Sequence, residues 1–85
     1  MASAVNTVVA AGAVASLALA ANPARVSALF VNSGAVPVYL GQISVTPANG
    51  IPIATGQSFV DEASDSAWYA VTAGGMGQLT ICEVS

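Results

Sequence analysis

The side chains able to do chemistry are few, and their spacing does not suit them to it. Serines and the single cysteine, Cys82, are potential nucleophiles, but the chain has no His and no Lys to act as their base. The carboxylates remain, and Asp61, Glu62 and Asp65 crowd into one segment, Asp61-Glu62-Ala63-Ser64-Asp65-Ser66. A glycosidase pair must face across a cleft, whereas these acids share one short loop. As oxygen ligands for a hard cation they lack the glycine and the bidentate glutamate of a calcium loop. The segment reads as a solvated loop, with no catalytic residue, no metal ligand and no cofactor expected. Gly74-Gly75-Met76-Gly77 has the glycine content of a phosphate cradle, but no lysine and no helical pattern follow it. It reads as a hairpin connection.

The remaining candidates are contact residues. Cys82 is expected to act as a small hydrophobe rather than as an intersubunit disulfide. Arg25, the only cation, follows a turn and precedes a strand. There it bridges Glu83 or the terminal carboxylate, or it clamps a neighbouring subunit through its forked guanidinium. Trp68-Tyr69 is the one adjacent aromatic pair. On a strand one ring points inward and the other outward, where it packs, anchors an interface or stacks on a sugar. The partner-contact set expected from the sequence is Val5, Val8, Val9, Arg25, Tyr39 and Trp68.

Composition also points to contacts rather than chemistry. The 85 residues are 55% hydrophobic but only 6% charged, with a net charge of −3, where ordinary soluble domains carry about 25% charged residues. One cation cannot neutralise a phosphate backbone, so nucleic acid is not an expected partner. The length gives one domain, residues 1–85. Area scaling assigns it a folded surface of roughly 4,600 Å² and burial of about 60% of the unfolded surface, which is marginal. That surface must be coated with small apolar and uncharged polar groups, a composition that favours association. A homo-oligomer, dimer or trimer, is the expected state.

Residues 8–21 are almost continuously apolar and end in Ala18-Leu19-Ala20, which resembles a small-residue cleavage site. The residues before them carry no charge, so the basic region of a secretory signal is missing. The run is mostly alanine without flanking lysines, unlike a membrane span. Neither a leader nor a membrane anchor is expected. Two periods compete here. A helical stripe runs through Val5, Val8, Val9, Gly12, Ala13, Ser16, Leu17 and Ala20, and alanine favours helix. Two strands, over 5–10 and 14–20, are favoured by the three valines of the first and by the break at Ala11-Gly12.

Further along, Asn22-Pro23 marks a turn and residues 26–32 alternate with two apolar faces, as a central strand does. Asn32-Ser33-Gly34 turns the chain into Val36, Val38 and Leu40, where Pro37 implies an edge or a bulge. Residues 42–56 read as a loop with a tight turn at Asn49-Gly50. Short strands follow over 57–60 and 67–73, then over 79–84. The expected fold is all-β: a small antiparallel β-sandwich, jelly-roll-like or Greek-key, of six to eight short strands. Residues 1–10 are an extended N-terminal arm able to reach a neighbour.

The run Ala20-Ala21-Asn22-Pro23-Ala24-Arg25, the strand ending at Asn32, then Pro37-Val38-Tyr39-Leu40-Gly41, Asn49-Gly50-Ile51-Pro52 and Ala67-Trp68-Tyr69-Ala70 together resemble small virion proteins of tailed bacteriophages. These are capsid decoration (cement) proteins and related head-fibre or minor structural proteins, and the likeness spans about residues 8–84. The resemblance implies a compact β-sandwich without enzymatic activity that binds other virion subunits, and it leaves open whether these belong to the capsid, a fibre or a tail. Taken with the low charge and the apolar N-terminal segment, it leads to the expectation of a decoration protein on the capsid surface of the virion, with the major capsid protein and further copies of the chain as partners and no membrane involved. A head-fibre or tail-associated module that binds a receptor or sugar is the alternative. The matching residues, Asn22, Pro23, Arg25, Asn32, Tyr39 and Gly41, resemble turn and edge positions that define the fold.

Overall fold

The structure is a computed structural model that describes residues 3–85. Its eight strands are β1 (Ala4–Ala11), β2 (Ser16–Leu19), β3 (Ser27–Asn32), β4 (Val38–Gly41), β5 (Ile51–Ile53), β6 (Ser58–Asp61), β7 (Trp68–Val71) and β8 (Gly77–Val84). They form two four-stranded antiparallel sheets, ordered β1-β8-β3-β6 and β2-β7-β4-β5. The chain changes sheet at every connection except the β4–β5 hairpin, which gives the two interlocked Greek keys of a jelly-roll sandwich. The expected all-β sandwich is the one observed, and the stretches read as 5–10 and 14–20 hold the strands Ala4–Ala11 and Ser16–Leu19 rather than a helix.

Small side chains set the thickness of the core. Ala11, Ala18, Ala28 and Ala70 are buried with Phe30, Val38, Leu40, Ile53, Leu79 and Ile81. Alanine opposite the large residues lets the sheets interdigitate, and each large side chain buried there contributes roughly 1.5–3 kcal/mol. Phe30, Phe59 and Trp68 form a triangle with ring centroids 5.7–6.2 Å apart, and Trp68 stands edge-on to both phenylalanines. Each such contact adds about 0.5–1.5 kcal/mol beyond burial.

Three elements differ from the sequence reading. Residues 4–10 of the expected extended arm 1–10 are not separate from the sandwich but lie within β1, paired along their whole length with β8 from Ala4↔Val84 to Ala11↔Gly77; Met1 and Ala2 fall outside the described residues. Pro37 does not make β4 an edge, because the strand starts one residue later and lies between β5 and β7. The expected loop 42–56 contains β5, whose central Pro52 is tolerated because β5 is itself an edge. The rest of that loop is pinned by Val45. A Cβ on Gly41 would sit 2.6 Å from the Val45 side chain and one on Gly50 2.9 Å from it, so both glycines are needed for this close approach.

Candidate partner-binding surfaces

Arg25 is the most constrained polar residue in the chain. Its side chain is fully buried, and Nε donates to Glu83 Oε2 at 2.8 Å. Nη1 donates to the Ser66 carbonyl at 2.7 Å and Nη2 to the Ala20 carbonyl at 2.6 Å. The turn before it presents the guanidinium: Asn22 Oδ1 accepts from Ala24 N–H, and the Arg25 N–H donates to the Asn22 carbonyl. One planar fork thus ties the β2–β3 turn, the β6–β7 loop and β8 together, a geometry that suits arginine and not lysine. With all three donor directions used inside the protomer, the guanidinium is a lock within the fold rather than a clamp on a neighbour.

A second polar node sits on the β6–β7 loop. Asp61, expected in a solvated loop, is buried at the end of β6. Its Oδ1 accepts from Ala63 N–H at 3.0 Å, and its Oδ2 accepts from the Ser64 hydroxyl at 2.9 Å and the Trp68 indole at 3.0 Å. Burial pushes its carboxyl up, but the donors at Ala63, Ser64 and Trp68 together hold it below its ordinary value. The Asp-x-x-Ser spacing, Asp61 to Ser64, with the Asx-turn bond to the Ala63 N–H between them, was the sequence signal for this role. Trp68, expected at a partner contact, instead faces the core with its N–H satisfied by Asp61. Tyr69 is the outward member of the pair. It and Tyr39 lie half-buried on neighbouring strands of the second sheet, in the register Gly41↔Tyr69 and Tyr39↔Val71.

The three valines separate by register. Val9 faces inward and packs against the core. Val8 points to the opposite face and is 63% exposed, while Val5 is on the inward side but 55% exposed. The outer face of the first sheet continues from Val8 through aligned rows: Asn6, Cys82, Leu29 and Val60 in one, Val8, Thr80, Val31 and Ser58 in the next. No charged side chain interrupts them. Sequence reasoning missed Leu29 and Val60 here, because both faces of β3 read as apolar and periodicity alone does not say which is covered. Cys82 lies on this face, partly exposed and free.

Concave features are modest. One open cleft of about 380 Å³ has Leu40, Val45, Ile51 and Trp68 among its walls. A polar one of the same volume is bounded by Glu62, Ser64, Asp65 and Arg25. Among the described residues, no three His, Cys, Asp or Glu side chains gather as a metal-binding group.

No family model matches the chain, and no curated protein matches it. Among solved structures it is similar to that of Bacillus endospore appendages, described as a novel family of disulfide-linked pili. The likeness covers 99% of this chain and 85% of that one, with a TM-score of 0.57 and 19% sequence identity. At that identity the two share a fold.

Proposed function

We propose that this chain is a structural subunit of a surface assembly, and that the assembly is a tailed-bacteriophage particle on which it serves as a capsid decoration protein. Its partners are then the major capsid protein and further copies of itself. The observation that carries the reading is a contrast within one small fold. Inside, every buried side-chain nitrogen and oxygen among the described residues has a hydrogen-bond partner. Outside, Val5, Val8, Leu29, Ile43 and Val60 remain exposed on a chain that is only 6% charged. A domain with a settled interior and an uncharged apolar exterior gains most from burial against other chains.

The jelly-roll likeness to the subunit of an appendage favours a second reading, in which the assembly is a filament. A covalent series is not available to it in this sequence. Each link of a disulfide-connected row needs two thiols per subunit, and Cys82 is the only cysteine; through it, chains join only in pairs. A filament of this subunit is therefore not held by a continuous disulfide-linked series. The receptor- or sugar-binding alternative now rests on Tyr39 and Tyr69, since Trp68 is committed to the core.

Purified chain added to shells that lack it tests the proposal. Saturable, stoichiometric binding that raises the shell's melting temperature supports decoration. Filaments formed by the chain alone under the electron microscope support the second reading, and a selective glycan on an array supports the third. A chain that stays monomeric at micromolar concentration in plain buffer, with no affinity for any shell, overturns the assembly reading altogether.

A further inference from the structure

The four sheet edges are not alike. β5 has three residues with Pro52 at its centre, β2 has four with a bulge between Leu17 and Leu19, and β6 has four and ends in Asp61. Short length, proline, bulges and charge are the devices that keep an edge from pairing with another chain. β1 has none of them. It is eight residues long, Ala-Val-Asn-Thr-Val-Val-Ala-Ala, and no described residue pairs along its outer side.

The register fixes which of its backbone groups are free. Ser3 and Ser85 exchange both backbone bonds, Ser3 N–H to Ser85 O at 2.7 Å and Ser85 N–H to Ser3 O at 2.9 Å. Antiparallel ladders alternate, so Val5, Thr7, Val9 and Ala11 also turn their N–H and C=O toward β8. Ala4, Asn6, Val8 and Ala10 turn theirs outward, a self-complementary row of alternating donors and acceptors.

We propose that β1 is the self-association edge of this protein, and that its occupant is β1 of a second copy, antiparallel about a two-fold axis at Thr7. The inference rests on the reading of the chain as an assembly subunit and names its first partner. Pairing Ala4 with Ala10, and Asn6 with Val8, in both directions uses every outward-facing backbone group of the two strands. Registers shifted by two residues leave some of them without a partner within residues 4–10. The same register sets Thr7 beside Thr7 and Val5 beside Val9 on the inward side, matched β-branched pairs of the kind that stabilise adjacent strands. It also places a neighbour beside Val5, which faces the core side of the sheet yet is 55% exposed. The carboxylates lie at positions 61, 62, 65 and 83, so none is on the strand that has to approach its twin. The product is one continuous eight-stranded sheet across two sandwiches.

Two kinds of variant test this in the full chain. Asn6→Pro removes an outward N–H without removing a β1–β8 bond, and its ring blocks the approach of a second strand. Val8→Lys charges the same edge and is the alternative should the proline variant fold poorly. Each is expected to weaken dimerisation about tenfold or more by sedimentation while circular dichroism stays that of the parent. The second variant is Thr7→Cys in a Cys82→Ser background. Thr7 meets its twin as a non-hydrogen-bonded pair with Cα atoms about 4.5 Å apart, within disulfide range. Mild oxidation is expected to cross-link it, whereas Val8→Cys in the same background, about 7–8 Å from its twin, does not. A parent chain that is monomeric at all accessible concentrations overturns the proposal. So do oligomers that survive both edge variants with no Thr7→Cys cross-link, though that result leaves the assembly reading intact and moves the interface to another surface.

Discussion

Replacing Arg25 separates a lock inside the fold from a clamp between subunits. In Arg25→Ala the Glu83 carboxylate, 20% exposed, loses its ion-pair partner, and the Ala20 and Ser66 carbonyls lose charged donors. Removing one member of a buried, hydrogen-bonded pair costs roughly 3–5 kcal/mol. A domain of this size has a total stability of about 4–13 kcal/mol, so the variant is expected to lose a large part of it. At about 4–8 °C per kcal/mol, the melting temperature falls by roughly 12–40 °C. Glu83→Ala, which strands the guanidinium instead, is expected to act in the same direction. The double variant should cost less than the sum of the two by about 1–3 kcal/mol, the coupling expected of residues in contact. Arg25→Lys should rescue only part of the loss, since a single ammonium cannot serve three acceptors set in different directions. Thermal unfolding followed by circular dichroism at one fixed protein concentration is the assay, because self-association makes the midpoint concentration-dependent. Should Arg25→Ala melt within about 2 °C of the parent yet lose its binding to a shell or to its own copies, the guanidinium would belong to an interface and not to a lock within the fold.

Other positions give independent checks. Asp61 has a folded-state pKa below its unfolded one, so its contribution to stability is full above the unfolded value of about 3.9 and is lost as pH falls through the folded value. Thermal melts from neutral pH downward should show the parent losing stability below about pH 4, with a flatter acid limb in Asp61→Asn. Asn32 is buried and donates from Nδ2 to the Val36 carbonyl at 2.9 Å and the Ile53 carbonyl at 2.8 Å, while its Oδ1 accepts from Gly34 N–H. Asn32→Ala should cost about 2–4 kcal/mol, and Asn32→Asp should cost more at neutral pH, because it points a carboxylate at two carbonyls; denaturant midpoints decide the order. A Cβ on Gly77 would lie 2.7 Å from Val38 Cγ2 and 3.0 Å from Thr72 Cγ2. Gly77→Ala should therefore destabilise by about 1–3 kcal/mol through overpacking, whereas Gly74→Ala, with nothing within 4 Å of its Cβ, should be close to neutral by the same melt.

The sequence announces its strands but not its surfaces, and adjacent residues show why. Val8 and Val9 have the same side chain, yet Val9 packs on the core and Val8 is 63% exposed. Alternation separates them onto two faces; only the pairing of Ala11 with Gly77, set from a distant part of the chain, decides which face the second sheet covers. The same blindness put Trp68 at a partner contact. Its inward position follows from pairing with Leu19 across the Ala18 bulge, and its N–H finds Asp61 from another strand. Ile51-Pro52-Ile53 was hidden for a different reason, since three residues around a proline form a strand only when a neighbour supplies the ladder. Arg25 was legible as far as its rarity: the only cation in an apolar chain must be either satisfied at depth or left at the surface. What composition could not supply is the carbonyls of Ala20 and Ser66, which convert an ion pair into a three-way junction. The edge of β1 reverses the pattern. Its lack of charge, proline and glycine over residues 4–11 is visible in the sequence alone. Its significance emerges only when the other three edges are seen to be blunted, because an unprotected edge is informative only in a fold that protects its others.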